Sequence, residues 1–324
     1  MKSPVLVSAS IGLMVASSLI LTGCAGSAQP SSPGTSSSIT ARGAKLADPL
    51  QALRDLQRIS DDHGGNRATG TPGGTASGDY IVSQLRGLGL APTVEEFTTS
   101  ASITGRNIVV DLNAGSGADS VLIGAHYDSV PNGPGIVDNG SGVANLLSLA
   151  EKVTTEHSHL SQTIRLAFWD AEETGVEGSV AYVKALTESE RARISGYVNI
   201  DMSAGKNAKV HVFDGDRSSA GQSPDEENLT LAPGSAELEA RLRSSFPDGT
   251  PFLEGYEQAT RSDGLPFNKV GIAVTGISTV VDETPLTTII SCYHQSCDDI
   301  DNVDREMLQL TNAALQRFAV TLAT

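Results

Sequence analysis

Three short apolar runs in this chain each stop at polar side chains able to bind a metal. Ser120 to Gly124 leads to His126-Tyr127-Asp128, Thr163 to Trp169 leads to Glu172-Glu173, and Gly196 to Ile200 leads to Asp201. Around them lie stretches with helical spacing: Leu46 to Ile59, Thr75 to Leu88, Ser141 to Thr155, Ser179 to Leu186, Ala236 to Ser245 and Asp304 to Leu322. Further strands are expected at Asn107 to Leu112, Val210 to Phe213 and Ile272 to Gly276. Strands alternating with helices predict an α/β fold, its mixed, mainly parallel sheet covered on both faces. Ligands in such sheets bind beyond the carboxyl ends of the strands. The three polar clusters therefore belong to one pocket.

Taken singly, these residues have ordinary explanations. A histidine at a strand end is usually just hydrogen-bonded, and Asp138-Asn139-Gly140-Ser141-Gly142 reads as a helix cap with turn glycines. The adjacent acids Glu172 and Glu173 are harder to explain, because like charges at the end of an apolar strand gain nothing structurally. With a metal present, one acid can bind it while the other stays free as general base. A two-metal centre with ions about 3.5–4 Å apart needs roughly one imidazole and one carboxylate per metal plus a shared carboxylate. His126 and Asp201 would serve one ion, Glu173 and His294 the other, Asp138 would bridge, and Glu172 would remain as base. Asp128 is close enough to fix the ring of His126.

The same segments carry a resemblance. Gly124-Ala125-His126-Tyr127-Asp128-Ser129, Val137-Asp138-Asn139-Gly140-Ser141-Gly142, Ala171-Glu172-Glu173, Asn199-Ile200-Asp201-Met202, Arg261-Ser262-Asp263 and Cys292-Tyr293-His294 resemble the motifs of secreted bacterial two-zinc aminopeptidases of metallopeptidase family twenty-eight. Arg67-Ala68-Thr69-Gly70-Thr71-Pro72-Gly73 resembles the family's approach to its first helices. The resemblance implies a three-layer α/β/α sandwich of the zinc-exopeptidase (phosphorylase/hydrolase-like) type. It further implies two Zn²⁺ per chain, peptide substrates with a free N-terminus, and removal of the N-terminal residue. Carried over, His126, Asp138, Glu173, Asp201 and His294 hold metal, Glu172 is the general base, Tyr293 stabilises the oxyanion and Asp128 orients His126. Arg261 is the candidate substrate contact. Gly264 stands where the family leads one to expect a histidine, and the stretch 218–233 is longer than in compact members. Alternatives are a single-zinc, glutaminyl-cyclase-like enzyme of the same fold, a carboxypeptidase-type relative, and a non-catalytic peptide-binding lipoprotein.

The start of the chain points to export. Lys2, an apolar run from Val5 to Leu21 and the ending Leu21-Thr22-Gly23-Cys24 have the layout of a signal peptide whose last residues match a bacterial lipobox. Residues 1–23 are then the signal peptide, 24–43 a lipidated Cys24 with a Ser/Gly/Pro-rich tether, and 44–324 the catalytic domain. The expected product is an outward-facing, membrane-anchored lipoprotein acting as a monomer. Outside the cytoplasm, Cys292 and Cys297 are expected to pair as a disulfide around His294. A net charge of −16 argues against nucleic acid as partner, since phosphate binding needs a basic face. Asp214-Gly215-Asp216 is a weak calcium candidate, and His63, His157, His159 and His211 carry no site expectation.

Overall fold

The computed structural model describes residues 48–112, 119–156, 162–216, 218, 230–253, 262–281 and 290–322. The expected signal peptide and tether with Cys24, as well as His157, His159, Arg261 and most of 218–233, lie outside the described residues. Among the described residues, no helix is long and apolar enough to cross a membrane.

Helix α1 (Pro49–Asp62) begins where Asp48 accepts a hydrogen bond from the Leu50 N–H and Pro49 supplies a preset φ. The spacing of Leu50, Leu53, Leu56 and Ile59 buries one face of it. Thr71 caps α2 (Pro72–Gly87) through the Gly74 N–H, and Asp304 caps the last helix, α8 (Arg305–Thr321). Between them the chain runs β1 (Thr93–Thr98), β2 (Thr104–Asp111), β3 (Ser120–His126), α3 (Ser141–Glu156), β4 (Thr163–Trp169), α4 (Glu177–Ala185) and α5 (Glu188–Arg191). It continues through β5 (Ile194–Ile200), β6 (Lys209–Val212), α6 (Ser235–Arg243), α7 (Gly264–Lys269) and β7 (Val274–Val280).

The seven strands form one sheet in the order β1-β2-β4-β3-β5-β7-β6. The pairs β4·β3, β3·β5 and β5·β7 are parallel, and the outer pairs are antiparallel. The parallel share is thus the centre of the sheet. Helices α1, α2, α3 and α8 cover one face over an aliphatic core. On the other face, α4 and α7 cover an aromatic cluster in which Tyr197 and Phe267 stack at 4.0 Å beside Trp169.

Sequence periodicity leaves out β1, because Thr93–Thr98 is an edge strand with no buried face to impose an alternating pattern. It also stops β3 early: the strand continues to His126, which pairs in register with Trp169 of β4. Strand β7 likewise runs past Gly276, because Ile277 to Val280 pair with β6.

From β3 the chain crosses to β4 on one side, then returns past β3 to β5 on the other. The carboxyl end of β3 is therefore the switch point where such folds open a crevice.

Candidate active site

His126 ends β3 at that crevice, and Asp201 directly follows β5. The Nε2 of His126 lies 3.3 Å from Asp138 Oδ1 and 3.5 Å from Asp201 Oδ1. His294 approaches from the other side, its Nε2 3.4 Å from Asp138 Oδ2 and 3.1 Å from Glu173 Oε2. Asp138 thus turns one oxygen toward each imidazole. His126, Asp138 and Asp201 form one group with ligand atoms within 4.8 Å of one another, and Asp138, Glu173 and His294 form a second.

Asp138 is free to do this because its neighbour caps the helix. Asn139 Oδ1 accepts from the Gly142 N–H at 2.9 Å and the Met202 N–H at 3.2 Å, while its amide donates to the Ile200 carbonyl at 2.8 Å. One side chain therefore starts α3 and ties the Asp138 loop to the end of β5. Gly142 is required beneath it, since a Cβ there would meet Asn139 Oδ1 and the Ile200 carbonyl at 2.5 Å.

Asp128 does more than orient a histidine. Its backbone carbonyl accepts from His126 Nδ1 at 3.2 Å, leaving the carboxylate for the Glu172 N–H (3.1 Å) and the Glu173 N–H (3.2 Å). The carboxylate also lies 3.4 Å from His126 Nδ1. One buried acid therefore fixes the imidazole and both glutamates relative to each other. Thr69 and Tyr127 extend this arrangement to Asp170, a buried acid whose position just after β4 sequence reasoning passed over.

Asp201 is held by a chain of donors that all point toward it. Trp169 Nε1–H donates to Tyr197, whose hydroxyl donates to Asn199 Oδ1. The Asn199 amide donates to Ser262 Oγ, and Ser262 donates to Asp201 Oδ2 at 2.7 Å. Ser262 sits in the Arg-Ser-Asp segment, where sequence had shown the motif but no role. Tyr293 stacks on the His294 ring at 3.7 Å. Cys292 and Cys297 are joined by a disulfide with Cα atoms 5.4 Å apart.

Electrostatics sharpen the picture. Burial pushes the Glu172 carboxyl well above its usual pKa, with nearby acids adding to the effect and His126 opposing it. Burial, reinforced by Asp138, likewise pushes Glu173 up to about 7. Burial alone would raise Asp138 too, but hydrogen bonds from the two histidines hold it down at about 2. Hydrogen bonds to Asp138 and Glu173 push His294 up to about 10. Two buried oxygens, Asp201 Oδ1 and Glu173 Oε1, have no hydrogen-bond partner. Unpartnered buried carboxylate oxygens are costly unless a cation meets them. The donor set of imidazole nitrogen and carboxylate oxygen, three side chains per group, suits zinc with a coordination position left open.

Asp214, Asp216 and Glu239 also converge. Their oxygens already take backbone N–H groups, however: Gly215 and Asp216 donate to Glu239, and Ser218 donates to Asp214. This cluster carries no cation assignment.

The chain is 34% identical over 245 residues to the "Probable lipoprotein aminopeptidase LpqL" of Mycobacterium tuberculosis, covering 72% of this chain and 48% of that protein. The zinc aminopeptidase BSAP of Bacillus subtilis superposes with a TM-score of 0.55 at 28% identity, over 68% of this chain and 50% of BSAP. Glutaminyl cyclase of Porphyromonas gingivalis shares the fold, with a TM-score of 0.68 at 22% identity over 86% of this chain and 99% of the cyclase. The chain spans about half the length of the curated relatives it matches. The profile described as "Peptidase family M28" matches residues 107–319, which takes in every residue of both groups, and the chain belongs to that family.

Proposed function

We propose that this chain is an exported, membrane-anchored zinc aminopeptidase that removes the N-terminal residue from peptides. The observation that carries the reading is the pair of three-residue groups sharing Asp138. His126 and Asp201 would complete one zinc site, Glu173 and His294 the other. Bound there, zinc supplies Lewis acidity to the scissile carbonyl and to water.

The chain's own residues do the rest. Glu172, held by its backbone N–H on Asp128, takes a proton from the attacking water as the new C–O bond forms. The same proton then passes to the departing amine as the C–N bond breaks. The Tyr293 hydroxyl, on a ring that stacks against His294, would donate to the oxyanion. Kinship to a lipoprotein supports anchoring through Cys24.

The test couples metal analysis to a panel of aminoacyl-anilides. About two zinc ions per chain are expected, with activity lost on chelation. Glu172→Gln should keep its metal and lose at least about 10²-fold in kcat. Hydrolysis that survives metal removal would overturn the reading. Stoichiometry near one zinc, with cyclisation of N-terminal Gln, would replace it by the cyclase reading. Cys24→Ser should move the protein out of the membrane fraction, and an unchanged distribution would sink the anchor.

A further inference from the structure

Asp298 is a buried acid that takes no part in either group of ligand-type side chains. Its two oxygens accept two consecutive backbone N–H groups, Val137 to Oδ1 and Asp138 to Oδ2, both at 3.0 Å. Its backbone carbonyl accepts a third, from Ile136. Asp298 therefore grips the segment that carries the shared carboxylate at three successive residues. Asp128 makes the same two-amide grip on Glu172 and Glu173.

Asp298 also follows Cys297 directly, so it closes the loop that presents His294. Its own N–H donates to the Gln295 carbonyl inside that loop. Asn302 adds a brace, its amide donating to Asp298 Oδ1 at 3.2 Å and to the Ser291 carbonyl at 2.9 Å, just ahead of the disulfide. The two loops touch elsewhere as well: a Cβ on Gly133 would meet the Gln295 carbonyl at 2.4 Å. With one further bond, from the Asn132 amide to the His294 carbonyl at 3.5 Å, the Asp138 loop and the His294 loop are fastened to each other chiefly through Asp298.

We propose that Asp298 is the positioning residue that sets the separation between Asp138 and His294, and thereby the affinity of the second metal group. The inference rests on the two-metal reading. Its selectivity follows from how the ligands are mounted. His126 and Asp201 stand at the ends of adjacent parallel strands, with Asp201 further held by Ser262. Glu173 and His294 sit on loops, and His294 has 41% of its side chain exposed. Loosening the grip on Asp138 therefore affects the Glu173–His294 group more than the His126–Asp201 group.

The experiment titrates the metal-free full chain with Zn²⁺ by calorimetry and with Co²⁺ by visible absorbance. Wild type should show two binding events, and His294→Ala should identify which one belongs to the Glu173–His294 group. Asp298→Asn keeps the shape but replaces one acceptor by a donor facing an N–H. It should weaken that group by about 10–100-fold, with a smaller change at the other. Asn302→Ala leaves the site's charge untouched and should weaken the same group in the same direction. If Asp298→Asn does not fold, Asn302→Ala decides alone.

Equal weakening at both groups, or no change in either variant, would overturn the proposal. So would an effect of Asp298→Asn with none from Asn302→Ala, because charge and not placement would then be responsible. A wild type that binds a single ion overturns the two-metal reading and this inference with it. Two wild-type ions together with an indifferent Asp298→Asn overturn the inference only.

Discussion

Arg67 shows how one residue can serve the site without touching its chemistry. Its side chain is fully buried, and all three nitrogens donate to backbone carbonyls, those of Pro134, Tyr127 and Gly135. It thereby closes the loop that runs from His126 to Asp138. Burial pulls its pKa down to about 10, against the pull of Asp128, Asp298, Asp138 and Glu173, so it keeps its charge at neutral pH. Arg67→Met would strand three buried acceptors, each costing about 1–3 kcal/mol. The expected loss is at least about 3 kcal/mol in urea unfolding at unchanged slope. Arg67→Lys should recover only part of it, because an ammonium cannot reproduce the fork. A loss below about 1 kcal/mol in Arg67→Met would show that water replaces the guanidinium. His126, the Glu172-Glu173 pair and Asp201 were readable as residue types following strands, and Asp138 and His294 completed the ligand count from loops. The roles of Arg67, Ser262 and Asp298 were not readable, because each acts through hydrogen bonds to residues sixty or more positions away, and nothing local in the sequence encodes such pairings.

At the scale of elements, the site is built from strand ends that hold shape easily and loops that do not. Ala171, Met202, Cys292 and His294 all have positive φ without being glycine. Each such residue costs about 1–3 kcal/mol and persists only where its surroundings over-determine it. Two of them flank Glu172 and Asp201. The other two lie in the Cys292–Cys297 loop, and the disulfide supplies the constraint there, worth roughly 2 kcal/mol by chain entropy for so short a loop. In the double variant Cys292→Ser/Cys297→Ser, His294 is expected to leave its place while the sheet stays folded. Metal content should fall from about two ions toward one, with far-UV circular dichroism unchanged. Retention of both ions would show that Asp298 and Asn302 hold the loop unaided. Helices such as α1 were legible from apolar residues at helical spacing, and the central strands as short continuous apolar runs, because they are buried on both faces. Edge strand β1 and short α7 were not, since neither carries enough buried positions to mark a period.

For the whole molecule, the fold gathers more buried negative charge at the crevice than a metal-free protein holds comfortably, and this sets how stability depends on pH. Glu173, Asp263 and Asp298 are each raised to about 7, chiefly by burial. An acid with a raised folded pKa binds more protons folded than unfolded, so stability falls as pH climbs from its unfolded pKa, near 4, to about 7. His294, raised to about 10 by its hydrogen bonds to Asp138 and Glu173, continues the same trend. Its contribution is fully present below about 6.5 and is lost as pH rises through the folded value. Asp138, held at about 2, works the other way only in strong acid. The metal-free chain should therefore melt at progressively lower temperature from pH 5 to pH 8. Zinc reverses the sign, because its ligands bind deprotonated and its affinity grows with pH. The stabilisation it adds follows RT ln(1 + [Zn²⁺]/Kd), so the gap in Tm between loaded and metal-free protein should widen steadily over that range. Paired thermal scans at fixed free zinc measure it directly. A gap that is constant from pH 5 to pH 8 would mean that the clustered acids do not titrate against the metal, and that the cation is held elsewhere.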